Sequence, residues 1–356
     1  MEPETNKKNQ SRRESNQESR PIQEIRKNSS QQKKQKFFGN RYLKTRTFQE
    51  KFTLYTDEKL SLLRVILSLT RTLILGVIPW ALLWGVYGVI VSYLTHHKHL
   101  VVFNDIKALP NLVLCLNLVL NLLLIFRTNA AQERFWEGRK LWGGLVNTVR
   151  NLTRKMSIII EEQEPPDRVE KEATMQLVIA FAVAMKQHLR REPPNSELAF
   201  LMSSSQYHEL QHVNHPPLKI ALWIEDYLQY QYKREYIDVY QLTALNKLLD
   251  EMVNILGGCE RILRTPVPLV YTITLKLLFV IYFLVLPWEM AHGLAWWTGP
   301  LLAILCFILL SIDEIATEIE EPFGSGSNDL PLDIICISMQ RNFEDLYLRS
   351  PLVRQK

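Results

Sequence analysis

The chain has 356 residues, with 42 Lys and Arg against 37 Asp and Glu, a formal charge of +5 and four cysteines. Length alone allows two soluble domains, but a mean hydropathy of −0.07 averages long uncharged segments with densely charged ones, which excludes a uniformly soluble chain. The cysteines show no CxxC spacing, excluding a zinc ribbon or a disulfide framework, and the positive charge forms no patch of the kind that binds nucleic acid.

Residues 1–45 read as a disordered basic N-terminal tail, in which Lys, Arg, Gln, Ser, Asn and Glu leave almost nothing to bury. No apolar secretory core follows the start, and Glu2, Glu4, Glu14, Glu18 and Glu24 are at odds with an acid-poor transit peptide. Residues 46–127 read as a first transmembrane hairpin, with spans at Thr72–Leu94 and Ala108–Phe126. Each matches the roughly 20 residues that cross a hydrocarbon core. Gly76, Pro79, Gly85 and Gly88 predict a kinked or broken first helix.

The second span carries the most informative pattern. Leu118, Leu122 and Phe126 recur every fourth residue and stand above one another on one helix face. Asn117 and Asn121 form a second stripe about 100° away. Asparagine in hydrocarbon needs a partner or water, so this helix is expected to face protein or a cavity, as a pore-lining helix does. Arg127 ends the span.

Residues 128–265 predict a charged helical region, with breaks at Glu164-Pro165-Pro166, Glu192-Pro193-Pro194 and Pro216-Pro217. Within it, Met175–His188 and Leu218–Leu228 have the apolar spacing of amphipathic helices. The tyrosines at 227, 230, 232, 236 and 240 read as packing. Residues 266–312 predict a second hairpin: Pro266–Trp288, interrupted by Lys276, then Met290–Ile312 with its Trp296-Trp297 pair at a headgroup boundary. Residues 313–356 form the C-terminal segment. Four spans put both termini and the middle region on one side. Arg127, Arg134, Arg139, Lys140, Arg150, Arg154 and Lys155 mark that side as cytoplasmic, or stromal in an organelle. His96, His97 and His99 lack a supporting Cys or carboxylate cluster, so no metal is expected there. There is no G-x-G-x-x-G, P-loop, nucleophile elbow or H-E-x-x-H, and neither an enzyme nor a cofactor is expected.

Two separated motifs carry a resemblance. Phe126-Arg127-Thr128-Asn129-Ala130-Ala131, with Arg134-Phe135-Trp136-Glu137 and Lys140-Leu141-Trp142-Gly143, is similar to the bestrophin signature. So is Ile319-Glu320-Glu321-Pro322-Phe323-Gly324 followed by Asn328-Asp329-Leu330-Pro331-Leu332-Asp333. The first resembles bacterial and chloroplast members. The resemblance covers most of the chain after about residue 45.

It implies an all-α membrane protein, with four transmembrane segments and a helical cytoplasmic region per subunit, assembled as a homopentamer around a central pore. The bilayer is then bacterial plasma membrane or thylakoid. The permeant partners are monovalent ions, chloride favoured over cations, and the pore neck falls at Leu118, Leu122 and Phe126. A cytoplasmic aperture falls at Thr243, with Leu242 or Ala244 one alignment slip away. Arg127 would form a ring of charge favouring anions if it faces the axis, or a salt bridge if it faces protein. The calcium clasp of animal relatives is depleted here, because Ser325, Gly326, Ser327 and Asn328 separate Gly324 from Asp329. Glu314, Glu318 and Glu321 are expected to pair with Arg127, Arg134 or Arg139, and Asp329 to cap the helix after Pro331. The competing functions are a cation channel of the same fold, a secondary transporter, and a non-conducting scaffold.

Overall fold

The computed structural model describes residues 62–96, 108–326 and 328–345, with side chains from Gly76 on. The tail at 1–45, His97 and His99 lie outside the described residues. Every regular element described is helical: α1 (Leu62–His96), α2 (Leu109–Ile159), α3 (Pro165–Leu189), α4 (Ser196–Ala199), α5 (Ser204–Leu210), α6 (Pro216–Lys233), α7 (Val239–Arg264), α8 (Leu269–Leu294), a 3-10 turn (Ala295–Trp297), α9 (Thr298–Glu320) and α10 (Leu332–Phe343). Gly76–His96, Leu109–Ile159 and Val239–Glu320, the last holding both α8 and α9, contain stretches long and apolar enough to cross a membrane.

Helix α2 organises the unit that begins at Ile66. Its 51 residues span about 77 Å at 1.5 Å per residue, and no break separates the apolar first half from the charged second half. The expected boundary at residue 127 therefore falls inside one rigid element. The first half packs Leu120 and Leu124 into a core with Leu275, Phe279 and Phe283 of α8 and Leu302 and Cys306 of α9. The second half packs Trp142, Leu145, Leu152 and Met156 into a separate core with Phe181 and Met185 of α3, Ile224 and Leu228 of α6, and Leu245 and Met252 of α7.

The end of α2 has a clear cause. The Lys171 ammonium, 3% exposed, donates to the carbonyls of Ser157 (3.0 Å) and Ile160 (2.7 Å). A cation thus satisfies carbonyls that the helix leaves open at its negative end. Pro165 then opens α3, and Asp167 accepts the backbone N–H groups of Gln163 and Glu164 at 3.0 and 2.9 Å. The expected break at Glu164-Pro165-Pro166 sits at this turn. Pro193-Pro194 separate α3 from α4, and Pro216 opens α6. Helix α3 encloses Met175–His188, but it is buried on every side from Leu177 to Gln187 rather than amphipathic, because α2, α6, α7 and α10 surround it.

Helix α1 is continuous through Pro79, so the expected break is absent. Its glycines serve close approach instead. A Cβ on Gly85 would lie 2.9 Å from that of Ala303, and one on Gly299 would lie 2.4 Å from Val89 Cγ2 and 2.8 Å from the Gly85 carbonyl. Small residues facing each other are how membrane helices make contact without a hydrophobic driving force. Helices α8 and α9 are also displaced from expectation: α8 runs on to Leu294, and the Trp pair lies in the turn between them, exposed. The Ala295 carbonyl accepts from Ser92 Oγ and Thr298 Oγ1, both at 2.7 Å, which fixes the turn.

Candidate functional site

Leu120, Leu124, Arg127 and Ala131 are the buried face of α2, and Leu118, Leu122 and Phe126 are not on it. These three are 62%, 52% and 54% exposed in the single chain, forming an unpacked apolar tier that continues into exposed Asn129 and Glu133.

The asparagine stripe is satisfied locally. Asn121 Nδ2 donates to the carbonyl and Oδ1 of Asn117, both at 2.8 Å, and the Tyr282 hydroxyl reaches Asn117 Oδ1 at 3.5 Å. A single chain therefore shields these groups, and the stripe by itself does not demand further subunits.

Arg127 takes the salt-bridged alternative. It is 2% exposed, with Nη1 2.5 Å from Asp313 Oδ1 and Nη2 donating to Thr317 Oγ1 at 2.7 Å. An axis-facing ring of Arg127 is not its arrangement in the described chain. Asp313 and Thr317 were missed by sequence reasoning. The available signal was a carboxylate directly after the uncharged run ending at Ile312.

Seven residues along α2, Arg134 repeats the reach. Its Nε donates to the Glu320 carbonyl at 3.1 Å, its Nη2 to that of Ile262 at 2.8 Å, and its Nη1 to that of Thr265. One guanidinium thus holds the C-terminal carbonyls of α7 and α9. Residues 127 and 134 meet residues 313 and 320, so α2 and α9 run parallel here. The match continues one turn on, where Gly138 leaves room for Phe323: a Cβ would lie 3.1 Å from its ring. The two signature motifs are therefore one physical junction, lying where the two cores meet.

From the other side, Arg190 Nε donates to the carbonyls of Phe323 (3.3 Å) and Gly324 (3.1 Å), and Arg190 Nη1 and Lys186 Nζ reach Asp333 at 3.0 and 2.8 Å. The Asp333 carboxyl is held below its ordinary value of 3.8, burial pushing it up but the two cations outweighing that. Phe323 is buried.

The acidic residues near this loop depart from expectation. Glu318 accepts from Asn328 Nδ2 at 2.5 Å rather than pairing with an arginine. Asp329 turns back to accept the Gly326 N–H at 2.6 Å and does not cap α10. With Glu321, they line a cavity of about 280 Å³. Burial, with Glu318 and Glu321 nearby, pushes the Asp329 carboxyl up.

Thr243 is exposed on α7, its hydroxyl bonded to the Val239 carbonyl at 2.7 Å, whereas Leu242 is buried in the core. Lys276 lines a second cavity of about 280 Å³ with Asp313, Glu314, Trp80 and Trp84. The tyrosines divide between roles: Tyr227 packs on the core, Tyr236 stacks under Arg234 at 4.2 Å, and Tyr240 is 84% exposed.

A voltage-dependent anion channel-forming protein of Nostoc sp. is 52% identical over 238 residues, which are 67% of this chain and 78% of that one. One so named from Escherichia coli K12 is 31% identical over 225 residues, 63% of this chain and 72% of that one. A solved variant of a bacterial bestrophin homologue from Klebsiella pneumoniae superposes with a TM-score of 0.68 at 27% identity, covering 76% of this chain and 98% of that one. The family model described as bacterial/fungal bestrophin protein matches residues 54–345, both motifs included, and the chain belongs to the bestrophin family.

Proposed function

We propose that the chain is a subunit of a homopentameric channel that passes monovalent anions, chloride favoured, across a bacterial plasma or thylakoid membrane. Each subunit contributes four spans, with termini and charged bundle on the cytoplasmic or stromal side. The observation that carries this reading is the unpacked face of α2. Leu118, Leu122 and Phe126 stand clear of the subunit's own core on the helix that matches the family motif. Around a five-fold axis these tiers make a hydrophobic constriction that gates by dewetting. The exposed Thr243 forms a second, polar aperture on α7.

Two features support anions. The relatives from Nostoc and Escherichia coli carry that activity in their names. The charged half of α2 also exposes Arg139, Lys140, Arg150 and Arg154 against Glu133 and Glu137. A cation-selective pore of the same fold is the second reading, favoured by the burial of Arg127, which removes one ring of positive charge from the axis.

Single-channel recording of purified protein in a planar bilayer under a potassium chloride gradient tests both. Unitary steps with a reversal potential toward chloride are expected, and a potassium-directed reversal supports the second reading. Detergent-corrected light scattering should give five times the 41.7 kDa chain, and a clean dimer removes the central pore. Joint truncation of Leu118, Leu122 and Phe126 to Ala should raise conductance or open probability strongly. Unchanged currents in a correctly assembled triple variant remove the neck.

A further inference from the structure

Away from the α2–α9 junction, three side chains from three elements converge. His188 lies in the last turn of α3, His215 is the N-cap of α6, and Glu260 lies on α7. Both Nε2 atoms approach the same carboxylate oxygen, Glu260 Oε1, at 2.7 Å from His188 and 2.8 Å from His215. The two rings lie 4.5 Å apart. Among the described residues this is the one set of three His, Cys, Asp or Glu donors within 4.8 Å of one another.

We propose that His188, His215 and Glu260 form a binding site for one divalent transition-metal ion of the zinc class, joining α3, α6 and α7. Two imidazoles and a carboxylate suit zinc, cobalt, nickel or copper and not calcium or magnesium, which demand oxygen ligands. Three protein ligands leave a fourth position for water. The geometry needs little adjustment. Zinc bonds of roughly 2.1 Å at the tetrahedral angle separate donor atoms by about 3.4 Å, so each ring retreats from the carboxylate by about 0.7 Å.

Access and charge are also in order. The three side chains are 21%, 30% and 16% exposed, so an ion reaches them without opening the core. Burial pushes the Glu260 carboxyl up, but bonds from both histidines outweigh this and hold it below its ordinary value. The nearest cation, Arg264, is 3.9 Å from the other oxygen, Oε2, and 71% exposed. It leaves Oε1 to the ion and swings into solvent.

Metal entry moves protons in a defined way. His215 Nδ1 accepts the Leu218 N–H at 3.4 Å, so the neutral ring carries its proton on Nε2. Ligation at Nε2 shifts that proton to Nδ1 and gives up this long bond.

The test uses the full chain in detergent, prepared without a polyhistidine tag, stripped by chelator and titrated with cobalt chloride. The expected result is saturation at one cobalt per chain, with the intense visible bands of tetrahedral cobalt, displacement by zinc and a higher melting temperature with zinc. Glu260→Gln keeps a hydrogen-bonding shape and His215→Asn keeps an N-cap acceptor. Each should weaken binding by roughly 100-fold or more, since even second-shell changes cost 10–100-fold. Cobalt binding that does not saturate at one per chain, or that persists unchanged in both variants, overturns the proposal. Should either variant misfold, X-ray absorption of the unmodified zinc-loaded chain decides. Two imidazoles in the zinc shell are required, and an all-oxygen shell overturns the site.

Discussion

At the scale of single residues, the ion pair of Arg127 and Asp313 sets what the junction tolerates. A buried pair gains little over an apolar one, but losing one partner strands the other charge at about 3–5 kcal/mol. Arg127→Met and Asp313→Leu should therefore each lower the melting temperature markedly, while the double variant recovers most of the loss. The reversal potential of the assembled double variant should match the unmodified channel, because Arg127 does not line the pore, and a shift toward cations would restore it to the axis. Titration gives a second test. The Asp333 carboxyl lies below its ordinary value in the folded chain. The stability it adds is complete above that ordinary value and is lost as pH falls through the depressed one. Melting curves taken as pH falls below about 4 should fall less steeply for Asp333→Asn. At this scale the spacing put Leu118, Leu122 and Phe126 on one face of the helix, which the folded chain leaves exposed, but it did not show the partners of Arg127. Asp313 lies 186 positions away, and no local pattern ties two residues that meet only after folding. His188 and Glu260, 72 positions apart, were hidden for the same reason.

Among elements, the crossing of α1 and α9 depends on the absence of side chains. Gly299→Val would drive methyl groups into Val89 and the Gly85 backbone, and overpacking of this kind costs about 1–3 kcal/mol. Lower melting temperature and reduced recovery of the assembled form are expected, while Gly293→Ala, where a Cβ meets nothing within 4 Å, should be neutral. The glycines were visible in the sequence, yet their meaning was not, since Gly near Pro signals a kink as readily as a close contact. Element types and the proline breaks were legible because helix period and missing backbone donors are local properties. The end of α8 was not. The turn at Ala295–Trp297 is held by Ser92 from α1 and Thr298, and the apolar run passes through it unmarked.

For the whole molecule, the loop after Pro322 decides whether calcium has a role. Three carboxylates approach its cavity, more than the run from Ser325 to Asn328 promised, because α9 supplies Glu318 and the residue capping its end is Glu321. Asp329 and Glu318 already accept hydrogen bonds from Gly326 and Asn328. The loop is also closed by its own backbone, with the Leu330 N–H donating to the Pro322 carbonyl at 2.9 Å. Currents under strong chelator and under micromolar free calcium should therefore superimpose, and reversible several-fold activation would reveal a clasp. The continuity of α2 carries a consequence of a mechanical kind. The proposed neck tiers and Trp142, locked in the second core, ride on one uninterrupted rod with no hinge between them, so a constriction at those tiers cannot dilate by bending locally. It opens only when the rod rolls or tilts as a body. Any stimulus that loosens the grip of the charged bundle on the lower half of the rod is then delivered to the gate at full stroke, and one that acts on Phe126 alone must move the bundle too.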